Sequence, residues 1–88
     1  PTLRGLKHVE ELAAMAEEGI PCFLLFVVQM KSVSIFEPNM EMQPEFGLAL
    51  SRAAKAGVHI LACDCLVTED SMTIDQPVPI RLPALPPL

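Results

Sequence analysis

The feature that most constrains the fold is an unbroken apolar run, IPCFLLFVV, which covers residues Ile20 to Val28. A membrane-spanning helix needs about 20 apolar residues, so this run is too short to cross a bilayer. An apolar run without alternation is typical of a strand in a parallel sheet, where helices cover both faces. We therefore predict a strand over Cys22 to Val28 that is buried on both faces.

Helical patterns lie on both sides of this strand. In the first, apolar residues recur with a period close to 3.6, at Leu6, Val9, Leu12, Ala13 and Ala16. Thr2 is a suitable N-cap for this helix, and Gly19 is a typical C-terminal residue. Pro44 opens a second helix, and Gly57 follows its end.

The second half of the chain predicts two further strands. VHILACDCLV, from Val58 to Val67, has the pattern of a strand of mixed burial, and a TEDS turn leads to a short strand over Met72 to Asp75. The first two strands and the helix between them form a βαβ unit, so they should be parallel with a right-handed crossover. The predicted class is α/β, with a domain over residues 1–82 and a proline-rich tail over residues 83–88. The longer proline-rich segment PVPIRLPALPPL, residues 77–88, should run extended on the surface.

The composition limits the functions open to the chain. A formal net charge of −5 excludes a surface that coats nucleic acid non-specifically, because that affinity needs many cations. Four Phe without Trp or Tyr leave little material for base stacking. Three cysteines without a framework spacing, and the lack of a signal peptide, predict a cytoplasmic protein.

A cluster of cations stands out in this acidic chain. Arg4, Lys7 and His8 fall within an arc of roughly 100° on the first helix, opposite its apolar stripe. Cations there oppose the positive end of the helix dipole, and a bound anion would reverse that penalty. Gly5, which costs about 1 kcal/mol in a helix, makes sense if a backbone or a phosphate approaches closely. The alternative is a solvated face on which Lys7 pairs with Glu11.

These residues also carry a family resemblance. The blocks TLRGLKHVEEL, AEEG, LLFVVQ, FEP, PEF, AAKAGVHILA and PVPI resemble the C-terminal part of the sugar fermentation stimulation protein family. The resemblance implies a bacterial or archaeal DNA-binding protein linked to regulation of sugar (maltose) utilisation genes. Thr2, Arg4, Gly5, Lys7 and His8 match the family's helix motif, so the resemblance implies that they bind nucleic-acid phosphate.

The resemblance further implies a fold and a set of partners. An N-terminal OB-like region and upstream strands would precede this chain, which would be the C-terminal portion of a restriction-endonuclease-like, PD-(D/E)xK core in the order helix-strand-helix-strand-strand. Because the chain begins at Pro1 and a small parallel sheet needs cover on both faces, we expect further sequence upstream. DNA would bind through the full-length protein.

The chain lacks the acidic half of a nuclease site. Hydrolysis of phosphodiesters needs clustered carboxylates that hold Mg²⁺, and the nearest string, MKSVS at Met30 to Ser34, has no preceding carboxylate. We therefore expect no catalytic residue, metal ligand or cofactor in this chain, and Mg²⁺ only in the full-length protein. The chain also departs from the family at Cys63 and Asp64, where a Tyr and a basic residue are usual, and at Gln43, where Asp is usual.

The cysteines suggest a second candidate site. Cys63 and Cys65 are two residues apart on a strand and could share a metal, but a structural thiolate site needs four ligands, so Cys22 and His59 would have to converge on them. Thiols packed in the core are the preferred interpretation. A nucleophilic Cys-His pair would lack an orienting third group.

Three hypotheses follow from the sequence. The first is a DNA-binding protein whose Arg4, Lys7 and His8 contact phosphate. The second is a metal-dependent nuclease whose carboxylates lie upstream of this chain. The third is an α/β subdomain that forms a homo-oligomer because its sheet edge is uncovered.

Overall fold

The computed structural model describes residues 3–86 as two helices and a three-stranded sheet. The elements, in chain order, are α1 (Leu3–Glu17), β1 (Phe23–Val28), α2 (Pro44–Ala56), β2 (His59–Val67) and β3 (Met72–Pro77). This order confirms the predicted α/β class and the predicted succession of elements. The third strand extends two residues beyond its predicted end.

The sheet is mixed, with strand order β1-β2-β3. β1 and β2 are parallel and in register from Phe23 opposite His59 to Val28 opposite Asp64, as the βαβ pattern predicts. β3 runs antiparallel to β2, and a register shift interrupts this pairing between Cys63 and Cys65. The sheet therefore joins one crossover connection to one hairpin.

Glycines end both helices, as the sequence predicts. Gly57 has a φ of 116°, and its N–H donates to the carbonyls of Ala53 and Ala54. Gly19 has a φ of 88°, and its N–H donates to the carbonyl of Ala16 at 2.9 Å. Positive φ values favour glycine because it has no Cβ to clash with the backbone, so these positions set where the chain leaves each helix.

The core lies between the two helices and one face of the sheet. Its buried residues come from both helices and from the positions just before β1 and β2: Val9, Cys22, Ala49, Leu50, Ala53 and Val58. Leu24 and Phe26 of β1 and Ile60 of β2 pack against this group. We call this side of the sheet the covered face.

The opposite side of the sheet, the open face, is apolar and exposed. Phe23, Leu25 and Val27 of β1 are 63%, 44% and 42% exposed, and Leu61 of β2 is 51% exposed. The prediction that β1 is buried on both faces is therefore wrong for the described chain. Both faces of β1 carry apolar side chains, but α1 and α2 both pack on the same face of the sheet, so the other face stays exposed.

The segment after β3 packs more closely than its prolines suggest. Val78 is buried, and its N–H donates to the carbonyl of Ala62 at 2.8 Å. Ile80 forms an isolated parallel bridge with Phe36, and Leu82 packs against the core. The expected surface course is thus wrong for residues 78–82, because alternate apolar residues of an extended chain point the same way.

Within residues 3–86, no helix is both long enough and apolar enough to cross a membrane.

Candidate nucleic-acid interface

The first turns of α1 place two cations and a histidine on the solvent side of the helix. Arg4, Lys7 and His8 are all exposed, whereas Val9, one position further on, is buried in the core. No acidic residue occupies the first turn of α1, where acids would complement the helix dipole. We call Arg4, Lys7 and His8 the cationic face. Thr2, the fourth polar residue of the predicted motif, lies outside the described residues.

The cations of this face are not engaged by neighbouring carboxylates. Within residues 3–86 the ion pairs involve Lys31 and Arg81, and none involves Arg4, Lys7 or His8. The pair of Lys7 with Glu11 that helical spacing allows is therefore not formed. Exposed cations without intramolecular partners keep their charge available for an external anion.

The amino-terminal ends of the two helices lie at the same end of the molecule. Because β1 and β2 are parallel and each follows a helix that packs on the same face, both helices run in the same sense, opposite to the strands. Leu3 and Leu6 of α1 line one surface pocket with Pro44 and Glu45 of α2. The cationic face therefore adjoins the edge where the parallel strands end, a common location for ligands in α/β proteins.

Gly5 has a different environment from the residues of the cationic face. It is half-buried and lines a cavity of about 530 Å³, together with Phe26, Phe36 and Phe46. The close approach of a backbone or a phosphate at Gly5 stays a prediction. The sequence pattern gave no indication of the cavity, since its three rings come from distant positions in the chain.

The loop after β1 contributes a charge cluster that sequence reasoning missed. Lys31 Nζ donates to Asp64 Oδ1 at 3.0 Å and also to Asp75 Oδ2. Asp64 Oδ1 accepts a second bond, from the backbone N–H of Gln76 at 2.8 Å. The cluster ties the loop to β2 and β3, and the departure from the family pattern at Asp64 was the only signal for it.

These contacts shift the acid strengths of the cluster. The backbone N–H of Gln76, and then the ammonium of Lys31, lower the pKa of Asp64 below its ordinary value. Hydrogen bonds to Asp75, and then to Asp64, raise the pKa of Lys31. Both groups are therefore held in their charged forms at neutral pH, and Lys31 is already neutralised by two carboxylates.

The cysteines do not converge. Cys22 and Cys65 are buried free thiols whose Sγ atoms contact backbone carbonyls, of Ile20 at 3.3 Å and of Val28 at 3.5 Å. Cys63 is half-buried, and His59 is exposed on the open face, where its ring stacks on Phe23. No group of three or more His, Cys, Asp or Glu side chains within residues 3–86 is arranged to hold a metal ion.

Comparison with known proteins places this arrangement in a family. The family model described as the sugar fermentation stimulation protein RE domain matches residues 1–71. The chain belongs to the sugar fermentation stimulation protein family. This membership confirms the resemblance carried by the TLRGLKHVEEL motif and the blocks that follow it.

Family members of known sequence resemble the chain over most of its length. The sugar fermentation stimulation protein homolog of Clostridium beijerinckii is 49% identical over 82 residues, and the homolog of Desulfitobacterium hafniense strain Y51 is 44% identical over 82 residues. Each match covers 93% of this chain but only 36% of the relative. The chain thus spans about a third of the length of these curated relatives.

A solved structure of the family has the same fold over the matched part. The structure of Pyrococcus furiosus SfsA in complex with Ca²⁺ superposes with a TM-score of 0.83 at 25% identity. The match covers 93% of this chain and 36% of that protein. The packing of two helices on one face of a mixed sheet is therefore shared with this family member.

Proposed function

We propose that this chain is part of a DNA-binding protein that regulates sugar (maltose) utilisation genes, and that Arg4, Lys7 and His8 contact backbone phosphates. The observation that carries the proposal is the cationic face itself, an exposed Arg, Lys and His on one side of α1 without intramolecular carboxylate partners. Thr2 and Gly5 belong to the same sequence motif, and we expect the phosphate to approach the helix at Gly5.

The acidic balance of the chain favours a local contact over a broad one. A net charge of −5 repels DNA at a distance, so attraction must come from the cluster at the start of α1. That cluster lies at a helix amino terminus, where free N–H groups and the helix dipole also favour phosphate. The arrangement suits a protein that uses this cluster to position one stretch of the DNA backbone and recognises the base sequence through other residues.

The test uses a family protein of the relatives' full length that carries this segment. Replacing Arg4 and Lys7 by Ala should weaken binding to duplex DNA and reduce the slope of log affinity against log salt by about 1.8, since each neutralised phosphate contributes about 0.9. The measurement is fluorescence anisotropy at several salt concentrations.

The matched control removes the same two charges from the other helix. Arg52 and Lys55 are exposed on α2, away from the cationic face. The Arg52→Ala/Lys55→Ala variant should keep the salt slope of the parent protein. Equal losses in the two variants, or no loss in either, would show that the cationic face makes no specific phosphate contact.

A metal-dependent nuclease is the second candidate, supported by the Ca²⁺ complex of the Pyrococcus furiosus relative and by the restriction-endonuclease-like core that the family resemblance implies. The residues of this chain do not fit a metal of their own, because Lys31 already bridges Asp64 and Asp75. The ligands would therefore lie upstream. The full-length protein should cleave DNA in the presence of Mg²⁺ or Mn²⁺, and the 88-residue chain should not. A full-length protein that cleaves neither DNA nor RNA with either metal would contradict this candidate.

A further inference from the structure

Three of the four phenylalanines gather on the covered face, around the cavity that Gly5 lines. The ring centroids of Phe26 and Phe36 are 4.7 Å apart with an interplanar angle of 31°, and those of Phe26 and Phe46 are 6.5 Å apart at 82°. All three rings are half-buried. Low aromatic content argued against base stacking from composition alone, but the fold concentrates those few rings at one place.

The cavity has the size and the lining of a pocket for a flat aromatic ring with polar groups at its edge. Its volume of about 530 Å³ lies within the range of small-ligand sites, roughly 300–1,000 Å³. Its lining is mostly apolar, and polar side chains stand among the lining residues at Glu37, Asn39 and Gln43. Glu37 Oε2 lies 3.9 Å from Arg81 Nη1 in an exposed ion pair, and its side chain is 52% exposed, so the carboxylate can still accept a hydrogen bond from a base amino group.

The cavity is adjacent to the cationic face. Residues three or four apart are neighbours on a helix surface, so His8 lies beside Gly5, one turn further along α1. A ligand ring that enters next to Gly5 therefore has an attached anionic group within reach of His8 and Arg4. This charge complementarity selects a nucleotide strand over an uncharged aromatic ligand.

We propose that the phenylalanine-lined cavity receives one unstacked base of a DNA strand whose phosphates lie on the cationic face. This base pocket presupposes the DNA-binding function proposed above and adds to it a site for a single-stranded or distorted segment. Aromatic stacking accepts every base, so the pocket would recognise a base that has left the stack rather than a particular sequence.

The chain supplies its own internal control for a direct test. Phe23 is the one phenylalanine on the open face, 63% exposed and stacked on His59. With 4-fluorophenylalanine incorporated at all four positions, a short single-stranded oligodeoxyadenosine should shift the fluorine resonances of Phe26, Phe36 and Phe46 and leave that of Phe23 in place. An abasic strand of the same length, which offers phosphate alone, should leave all four resonances in place.

Two variants turn this assay into a measure of affinity. Phe36→Leu removes a ring while the hydrogen bonds of its backbone to Pro79 and Arg81 remain, so it should weaken oligodeoxyadenosine binding about tenfold. Phe23→Leu makes the same change on the open face and should leave the affinity unchanged. The resonances of the remaining fluorinated rings show whether each variant is folded.

Several outcomes would overturn the base pocket. They are equal shifts with the abasic strand, no shifts at saturating oligodeoxyadenosine, equal affinity losses in the Phe36→Leu and Phe23→Leu variants, or resonances that move on simple dilution because a second copy fills the cavity. Failure of the DNA-binding proposal looks different, since it appears as an unchanged duplex salt slope in the Arg4→Ala/Lys7→Ala variant.

Discussion

The two faces of the sheet have similar residues and opposite surroundings. On the covered face, Leu24 and Phe26 alternate with their neighbours and pack under the helices, where Leu50 has no exposed surface. On the open face, Leu25 and Leu61 are as apolar but about half exposed. The difference lies in what packs on each face and not in the strand sequence.

This contrast shows where the stability of the described chain resides. An apolar side chain contributes to folding through the surface that it removes from water, at about 25 cal/mol per Å². On the covered face the apolar side chains are removed from water, because α1 and α2 both pack on it. On the open face the apolar side chains remain largely exposed to water. That the open face is a surface for association stays a prediction.

The largest predicted effect tests the covered face. Leu50→Ala removes a fully buried side chain from the centre of the core and leaves a cavity, so it should lower the free energy of unfolding by about 2–5 kcal/mol. The measurement is urea denaturation followed by circular dichroism. The loss should appear as a lower midpoint with little change in slope.

The same substitution on the open face is the control for the first prediction. Leu61 is 51% exposed on β2, so Leu61→Ala should lower the free energy of unfolding by less than about 1 kcal/mol. Similar losses for Leu50→Ala and Leu61→Ala would show that the open face is buried in solution, and the contrast between the faces would fail.

The elements of the fold could be predicted from local sequence, and the burial of β1 could not. Pro44, Gly57 and Gly19 mark helix boundaries through their own backbone preferences, and these local signals were correct. Which face of a strand is covered depends on where distant helices pack. The run FLLFVV is compatible with cover on either face or on both, so its pattern could not reveal the open face.

In the candidate site, too, the contacts within one element could be predicted from the sequence and the contacts between elements could not. Helical spacing placed Arg4, Lys7 and His8 together on the solvent side of α1, because that juxtaposition is internal to one helix. The Phe26 and Phe36 contact and the bridge of Lys31 to Asp64 join residues from separate elements. Such contacts depend on tertiary packing, which a single sequence does not encode as a pattern.

The second prediction concerns the polar edge of the covered face. Asp64 pairs in register with Val28 at the end of the parallel strands and is 8% exposed. The contacts from Gln76 and Lys31 lower its pKa, so its stabilising contribution is present above the pKa of an unfolded aspartate, about 4, and is lost as pH falls through the lowered folded value. The contacts of Lys31 raise its pKa. Its stabilising contribution is therefore fully present below the pKa of an unfolded lysine, about 10.4, and is lost as pH rises through the raised folded value.

Thermal unfolding between pH 2 and pH 7 measures this effect. Asp64→Asn should lower the midpoint temperature at pH 7, and the variant and the parent should converge at acid pH. Glu69→Gln is the matched control, because Glu69 is an exposed acid in the turn before β3 and lies outside the cluster. Parallel pH profiles for the parent and Asp64→Asn would show that the cluster does not tie the strands together.

The smallest predicted effect on stability tests the open face. Leu25→Lys with Leu61→Lys places two like charges on exposed, directly paired positions of neighbouring strands, so the free energy of unfolding should fall by about 1 kcal/mol at most, the repulsion between the two charges included. Self-association should fall sharply, because the variant loses the apolar patch and places a charge on β1, an edge strand of the sheet within residues 3–86. Light scattering across a concentration series measures it. The Ala14→Lys/Ala54→Lys variant, changed at exposed helix positions, controls for the added charge and should associate like the parent protein. A parent protein that stays monomeric at every concentration would contradict the homo-oligomer hypothesis. The open face would then have no role in association between copies of this chain.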